Sequence, residues 1–187
     1  IAFMADIQSW DPTAVTFPVG QSVFQCVYDS PLHYSSDQKL QPRVLAARPW
    51  LADHRTRLEI TLRDDPLFHD GSKLTTEDVK YSWVTRPQKD KRLAVAGLLQ
   101  DLKDVEIVSP TKAVLVYSKP SPSAEFYLGF LTVYIVPKAY HEKVGDEGFL
   151  AKPVGAGPYR LVDYQRGSRI VLEAFDKYWA GAPAIKS

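Results

Sequence analysis

Apolar side chains recur along this chain with two different spacings, and each spacing predicts a different kind of element. In residues 56–64 every second side chain is apolar and the others are charged or hydroxylated, as in a strand with one buried face. Residues 104–118 repeat this alternation on both sides of a Ser-Pro-Thr-Lys turn, and residues 159–175 repeat it around Arg-Gly-Ser. Both segments are therefore predicted to be antiparallel hairpins.

Segments in which apolar residues have helical spacing lie between these strands. A helix is predicted over residues 74–84, because apolar residues there lie four apart. Threonines that can cap a helix and two acidic residues suited to its first turn precede them. Shorter helices are predicted within 21–32, where Pro31 ends the pattern, and within 123–131. The basic run 86–92 is predicted to be a solvated loop, with a loop that holds an anionic ligand as the alternative. Residues 133–145 are predicted to be a strand that runs into a helix. Helices placed between hairpins indicate an α+β fold with mostly antiparallel sheet.

Composition changes this picture only by excluding classes of protein. The chain has 187 residues, of which 45% are hydrophobic and 24% charged, with a net charge of +1. This is an ordinary globular composition without the basic excess of a nucleic-acid-binding protein. The single cysteine, Cys26, excludes an internal disulfide and a cysteine-built zinc site, and its apolar neighbours predict a buried, inert thiol. The chain starts with Ile1 and lacks a secretory leader, which is expected of a processed or trimmed chain.

Gly155-Ala156-Gly157 is the start of a dinucleotide-binding fingerprint, but its surroundings do not fit one. The fingerprint requires a third glycine and a helix after the loop. Pro158 follows directly, Arg160 occupies the position of the third glycine, and a strand pattern follows. The glycines are therefore predicted to allow a tight backbone crossing that feeds a hairpin, or a crossing of the chain between two domains.

Other chemical signals are weak. Ser36 and Lys39 have the spacing of a serine-lysine nucleophile, but they lie in a polar turn and lack companion motifs. His69 and Asp70 could form a base with its orienting carboxylate, which would suggest a small hydrolase, but the sequence contains no nucleophile motif to complete it. The four histidines lack a spacing suited to metal. We therefore expect no catalytic residue, no metal site and no cofactor.

Two long blocks carry a specific resemblance. "FHDGSKLTTEDVKYSW" and "GAGPYRLVDYQRGSRIVLEAFDKYW", in this order and with intervening segments such as "VEIVSPTKAVLVYSKPSP", resemble the family 5 extracellular solute-binding proteins of bacterial ABC importers, of the oligopeptide and dipeptide type. The resemblance implies a periplasmic-binding-protein-like fold of type II. Since family members are much longer, it also implies an N-terminal fragment with an incomplete first lobe. Residues 1–34 would begin lobe I, residues 35–150 would form an inserted α+β domain, and residues 151–187 would return to lobe I, with the second lobe absent.

The same resemblance implies a function. A monomeric receptor would capture peptides or similar small solutes in a cleft between two lobes and deliver them to an ABC permease in the inner membrane. It would act in the periplasm, or outside the cell on a membrane anchor in a Gram-positive host. Thr16, Phe17, Pro18 and Val19 are the predicted ligand-binding wall of the cleft, with a plain surface loop as the alternative. A receptor for a nickel complex, haem, an opine or a sugar, or a signalling receptor domain, remains a second alternative.

Overall fold

The computed structural model describes residues 6–14, 18–52, 55–129 and 133–187. The helices are α1 (Pro18–Val27), α2 (Thr76–Lys80), α3 (Arg86–Lys89), α4 (Ala94–Leu98), α5 (Ala124–Leu128) and α6 (Lys138–Ala151). The strands are β1 (Leu32–Tyr34), β2 (Leu40–Pro42), β3 (Trp50–Ala52), β4 (Arg57–Thr61), β5 (Leu102–Ser109), β6 (Lys112–Tyr117), β7 (Tyr159–Gln165) and β8 (Arg169–Ala174). This is an α+β layout, as the sequence predicts.

The largest sheet is antiparallel and has the strand order β3-β4-β6-β5. In β4 the alternation works as predicted, because Leu58 and Ile60 are buried while Glu59 on the opposite face is exposed. β5 and β6 form the predicted hairpin, and two register shifts interrupt their pairing. β1–β2 and β7–β8 are separate two-stranded antiparallel sheets.

The helix predicted over 74–84 is longer than expected. Thr75 and Asp78 form a capping box at the start of α2, in which the Thr75 N–H and hydroxyl both donate to the Asp78 carboxylate, at 2.8 and 2.9 Å. A π-helical turn, Tyr81–Thr85, then leads without interruption into α3. The prediction of a loop over 86–92 is therefore wrong for its first four residues, and Arg86 is buried.

The strand predicted at the start of 133–145 is also absent. Residues 133–137 are fully buried, but they pair with no strand in the described part of the chain. Side chains of the π-helical turn hold this segment instead: Ser82 accepts from the Val136 N–H at 2.9 Å, and the Trp83 indole donates to the Tyr134 carbonyl at 3.2 Å. The following helix, α6, is interrupted at Gly145, which has a φ of 71°.

Two apolar clusters form the interior. The larger lies between the four-stranded sheet and the helices α2 to α5, and the smaller lies between α1 and the β7–β8 sheet. None of the helices within the described ranges is long and apolar enough to cross a membrane.

Candidate functional site

The predicted ligand-binding wall can be located only in part. Thr16 and Phe17 lie outside the described residues, and Pro18 and Val19 are the first two residues of α1. The role of these four residues in ligand binding stays a prediction. The structure does describe the segment that leads into the wall, residues 11–14, and what holds it in place.

A buried ion pair fixes this segment. Asp11 accepts hydrogen bonds from the Thr13 N–H and hydroxyl, at 2.9 and 2.7 Å, which closes a tight turn. Arg86 donates to the other Asp11 oxygen at 2.5 Å and to the Thr13 hydroxyl at 3.0 Å. Asp11 and Arg86 are each 7% exposed. Since an unpaired charge at such depth is strongly unfavourable, the turn and the guanidinium depend on each other.

The pKa of Asp11 reflects this pairing. Burial acts to raise the pKa, but the hydrogen bonds and positive charge of Arg86 outweigh burial and lower it. The carboxylate is therefore ionised.

On the other side of the turn, the Val95 N–H donates to the Thr13 carbonyl at 3.1 Å, so α4 also binds the segment.

Next to the ion pair lies a cavity of about 530 Å³, here called the Arg86 cavity. Its volume is within the range of small-ligand sites. Charged and polar groups line one part of it and apolar side chains the other: Asp11, Arg86, Lys89, Glu142, Ala14 and Phe149 are among them. Ala14 is the last described residue before the predicted wall, so this cavity and the wall are neighbours along the chain.

A histidine completes the polar side of the cavity. The Tyr81 hydroxyl and His141 Nδ1 are 2.9 Å apart and both groups are buried. His141 Nε2 lies 3.2 Å from Asp146 without forming a hydrogen bond. Burial and the nearby Arg86 lower the pKa of His141, so the ring is neutral at pH 7. The π-helical turn brings Tyr81 and Arg86, five residues apart, to the same cavity.

Gly155 and Gly157 lie at a close crossing of two backbone segments, as predicted. A Cβ on Gly155 would be 2.1 Å from the Val27 carbonyl oxygen, and one on Gly157 would be 2.6 Å from the Cys26 carbonyl oxygen. The Gly157 N–H donates to the Val27 carbonyl at 3.0 Å. The crossing joins the end of α1 to the chain entering β7, and a side chain at either glycine would push them apart.

His69 holds the same crossing from the other side. Its N–H donates to the Gly155 carbonyl at 2.8 Å, its Nε2 lies 3.0 Å from the Gly157 carbonyl, and its Nδ1 accepts from the Gly155 N–H at 3.3 Å. Burial lowers the pKa of His69 to about 4. The Asp70 carboxylate forms no hydrogen bond with this histidine ring; it accepts from the Ser72 N–H at 2.9 Å and from the Ser72 hydroxyl at 2.6 Å. Both ring nitrogens are thus occupied by backbone, which leaves the hydrolase alternative without a base.

A second buried carboxylate connects distant parts of the chain. Asp29, 1% exposed, accepts from the Tyr178 hydroxyl at 3.0 Å and from the Trp179 indole at 2.8 Å. Arg43 forms an ion pair with it. The Arg63 guanidinium lies over the Trp179 ring, 4.3 Å from its centroid. Neither this cluster nor the Asp11–Arg86 pair was found from the sequence.

Among the described residues, no group of three histidine, cysteine or acidic side chains could hold a metal ion. Cys26 is half-buried, and burial raises the pKa of its thiol. The arrangement is suited to holding a solute against fixed polar and apolar walls.

Comparison with known proteins identifies the family. The family model described as bacterial extracellular solute-binding proteins, family 5 Middle, matches residues 39–187. The chain belongs to this family. Protein XP55 of Streptomyces lividans is 30% identical over 165 residues, covering 86% of this chain and 29% of that protein. The glutathione-binding protein GsiB of Salmonella paratyphi A is 26% identical over 189 residues, covering 100% of this chain and 36% of GsiB.

A solved structure with the same fold is AgaA from Agrobacterium tumefaciens R10 in complex with agropinic acid. It is 27% identical, with a TM-score of 0.85, and the match covers 94% of this chain and 35% of AgaA. The fold of the family 5 chain is thus that of the type II periplasmic binding proteins, with mostly antiparallel sheets. The chain spans about a third of the length of the relatives it matches.

Proposed function

We propose that this family 5 chain is part of a receptor that captures peptides or similar small solutes for a bacterial ABC importer. The observation that carries the proposal is the family match over 39–187, together with similarity to a glutathione-binding protein along the whole chain. Glutathione is itself a small peptide. The receptor binds and releases its solute and catalyses no reaction.

The mechanism is capture in a cleft that closes by hinge motion between two lobes. Thr16, Phe17, Pro18 and Val19 form one wall of this cleft, and the solute lies against it. The Asp11–Arg86 pair holds the start of the wall rigid, so less conformational entropy is lost when the solute binds. A permease in the membrane then recognises the closed, loaded receptor.

The same proposal places the protein outside the cytoplasm. Relatives of the matching family are extracellular solute-binding proteins. We propose a monomer in the periplasm, or a protein anchored to the outer face of the membrane in a Gram-positive host.

Native mass spectrometry of the full-length protein, purified from its host without denaturation, tests the function. We expect a set of co-purified masses that fragment as short peptides. A protein that carries no solute and binds none from a peptide mixture would contradict the function as a peptide receptor.

A receptor for a non-peptide solute is the second candidate. It is supported by the likeness to AgaA, which was solved with agropinic acid. The same experiment separates the two candidates, because a single non-peptide mass would favour the second one and identify its solute.

Phe17→Ala in the full-length protein tests the wall. Since the solute would lose apolar contact with an aromatic ring, we expect affinity for the co-purified solute to fall roughly tenfold, measured by isothermal titration calorimetry. Val108→Ala is the control, because Val108 is 66% exposed on β5 and does not line the Arg86 cavity. Equal affinities for both variants would remove Phe17 from the site.

A further inference from the structure

A second cavity, of about 520 Å³, lies between the end of α1, the strand β1 and the helix α5. It shares no lining residue with the Arg86 cavity. We propose that this second cavity, here called the Arg43 cavity, binds the carboxylate of an organic acid that has an apolar or planar body. The chemistry of its lining carries the proposal, which is independent of the proposed transport function.

The carboxylate would bind Arg43. One edge of the guanidinium is already held: Nε is paired with Asp29, and Nη2 lies 3.3 Å from the Tyr178 hydroxyl. Nη1 donates no hydrogen bond to any residue that the structure describes. The side chain is 25% exposed and lines the cavity, whereas the Asp29 side chain is fully buried behind it. Arg43 is thus fixed in position and still has donor capacity toward the cavity.

The other polar groups at the cavity are neutral. His33 Nδ1 is buried and has no partner among the described residues. Gln25 and Gln38 add amide groups that can donate to an acceptor. No acidic side chain is among the described residues that line this cavity. A ligand that accepts hydrogen bonds and carries a negative charge fits this set, and a cation would meet Arg43 without a compensating carboxylate in the cavity.

The body of the ligand would lie on two aromatic rings. Tyr34 and Phe126 are 41% and 46% exposed, and their ring centroids are 6.3 Å apart. Exposed aromatic rings at the mouth of a cavity offer a large, rigid contact surface. A ligand with a single carboxylate suits the site better than a dianionic phosphate does, because Arg43 is the one cationic side chain among the described lining residues and its Nε is already paired with Asp29.

A matched pair of probes tests the proposal on the full-length protein. We would titrate 4-fluorophenylacetate and the uncharged 4-fluorophenylacetamide and follow ¹⁹F NMR line widths. The acid is expected to bind at least about ten times more tightly than the amide, because only the acid can form an ion pair with Arg43, whereas the amide carbonyl accepts a weaker, neutral hydrogen bond. Equal affinity for the two probes, or binding of neither, would overturn the assignment.

Variants of residues at the Arg43 cavity test whether the two probes bind there. Arg43→Gln alone would leave Asp29 buried without its partner, so Asp29→Asn/Arg43→Gln is used to remove both charges together. This double variant is expected to lose the preference for the acid; a retained preference would place the probe elsewhere. Phe126→Ala is expected to weaken both probes several-fold, and Val162→Ala, also on an exposed apolar residue but outside the cavity, to leave them unchanged. If Phe126→Ala and Val162→Ala behave alike, the aromatic wall plays no part.

Competition identifies the source of the carboxylate. If the solute recovered with the purified protein displaces the fluorinated acid, the carboxylate in the Arg43 cavity belongs to that solute. If the acid and the solute bind together, the cavity serves a separate organic acid. Either result supports a carboxylate site at Arg43.

Discussion

Arg86 is the residue whose burial matters most for the candidate site, and the sequence pattern around it does not predict that burial. It stands first in the basic run 86–92, and such runs are usually solvated. Its partner, Asp11, lies 75 positions earlier. Nothing local relates the two residues, so only the fold reveals that this arginine is buried while Arg92, at the other end of the run, is exposed.

Replacing Arg86 tests the role of the buried pair. Arg86→Gln should lower the free energy of unfolding of the full-length protein by about 3–5 kcal/mol, because Asp11 would remain buried without a countercharge. Urea denaturation followed by fluorescence measures this change. Arg92→Gln is the matched control: its side chain is 91% exposed, and loss of its pair with Asp90 should cost less than about 1 kcal/mol. Similar losses for the two variants would show that the Asp11–Arg86 pair is not a structural anchor.

The lowered pKa of His69 predicts that the stability of the folded protein depends on pH. Its pKa is about 4 in the folded protein, against about 6.5 for an unperturbed histidine. Folding therefore favours the neutral ring. The stabilisation is fully present above about pH 6.5 and is lost as the pH falls from about 6.5 toward 4. Protonation would also prevent Nδ1 from accepting from the Gly155 N–H.

Urea denaturation between pH 7.5 and 4.5 measures this effect. The free energy of unfolding of the wild type should fall by roughly 2–3 kcal/mol more than that of His69→Gln, which cannot titrate. His33 and His141, whose pKa values are also lowered, give both proteins a common decline. Parallel curves for wild type and variant would mean that His69 is not the group responsible.

At the scale of elements, the sequence predicts best where local pattern and tertiary environment agree. The strands β4 and β6 follow their alternation because one face of each lies on the larger apolar cluster, and the hairpins β5–β6 and β7–β8 form as predicted. In β5 the alternation ends after Val105, since Ile107 and Val108 are both exposed. Residues 133–137 have the composition of a strand but lie buried among side chains that satisfy their backbone, so no neighbouring strand is needed. The helix continues past Thr85 because Arg86 gains a buried partner, which the composition of the segment does not reveal.

The backbone crossing between α1 and β7 predicts that an alanine substitution destabilises the protein much more at Gly157 than at Gly97. In Gly157→Ala the new Cβ would meet backbone atoms of Cys26 and Val27 at 2.6 Å, and backbone cannot move aside as a flexible side chain can. We expect the free energy of unfolding to fall by more than about 3 kcal/mol. Gly97→Ala, in the helix α4, has no atom within 4 Å of the new Cβ and should be neutral or stabilise by up to about 1 kcal/mol.

Thermal unfolding of the two full-length variants makes the comparison. Gly157→Ala should unfold at a clearly lower temperature than the wild type, and Gly97→Ala at the same or a slightly higher one. If both glycines tolerate alanine equally, the crossing is less tight than the distances indicate.

At the scale of the whole molecule, the smaller apolar cluster connects segments that are far apart in sequence. Ile7, Trp10 and Phe24 pack there with residues of the β7–β8 sheet, and Tyr134 and Phe149 join them. The division into 1–34, 35–150 and 151–187 stays a prediction. The family and fold could be recognised from two sequence blocks, whereas the candidate site could not. Its wall was predicted by resemblance alone, and the sequence did not indicate that Asp11, Arg86 and His141 are buried together at one cavity.

Solute binding is expected to require more chain than these 187 residues. A cleft holds a small ligand by surrounding it, and this chain spans about a third of the relatives it matches. The wall at 16–19 and the Arg86 cavity would supply one side of the contact, and the remaining length of a family 5 protein would supply the other. We expect the isolated 187 residues to bind the co-purified solute at least about a hundredfold more weakly than the full-length protein, measured by calorimetry. The comparison of the anionic 4-fluorophenylacetate with its uncharged amide serves as an internal reference, because the Arg43 cavity is built from residues 25–134 and should keep its preference for the acid in the fragment. Equal solute affinity in both proteins would mean that this chain contains the complete site, and the two-lobe mechanism would have to be abandoned.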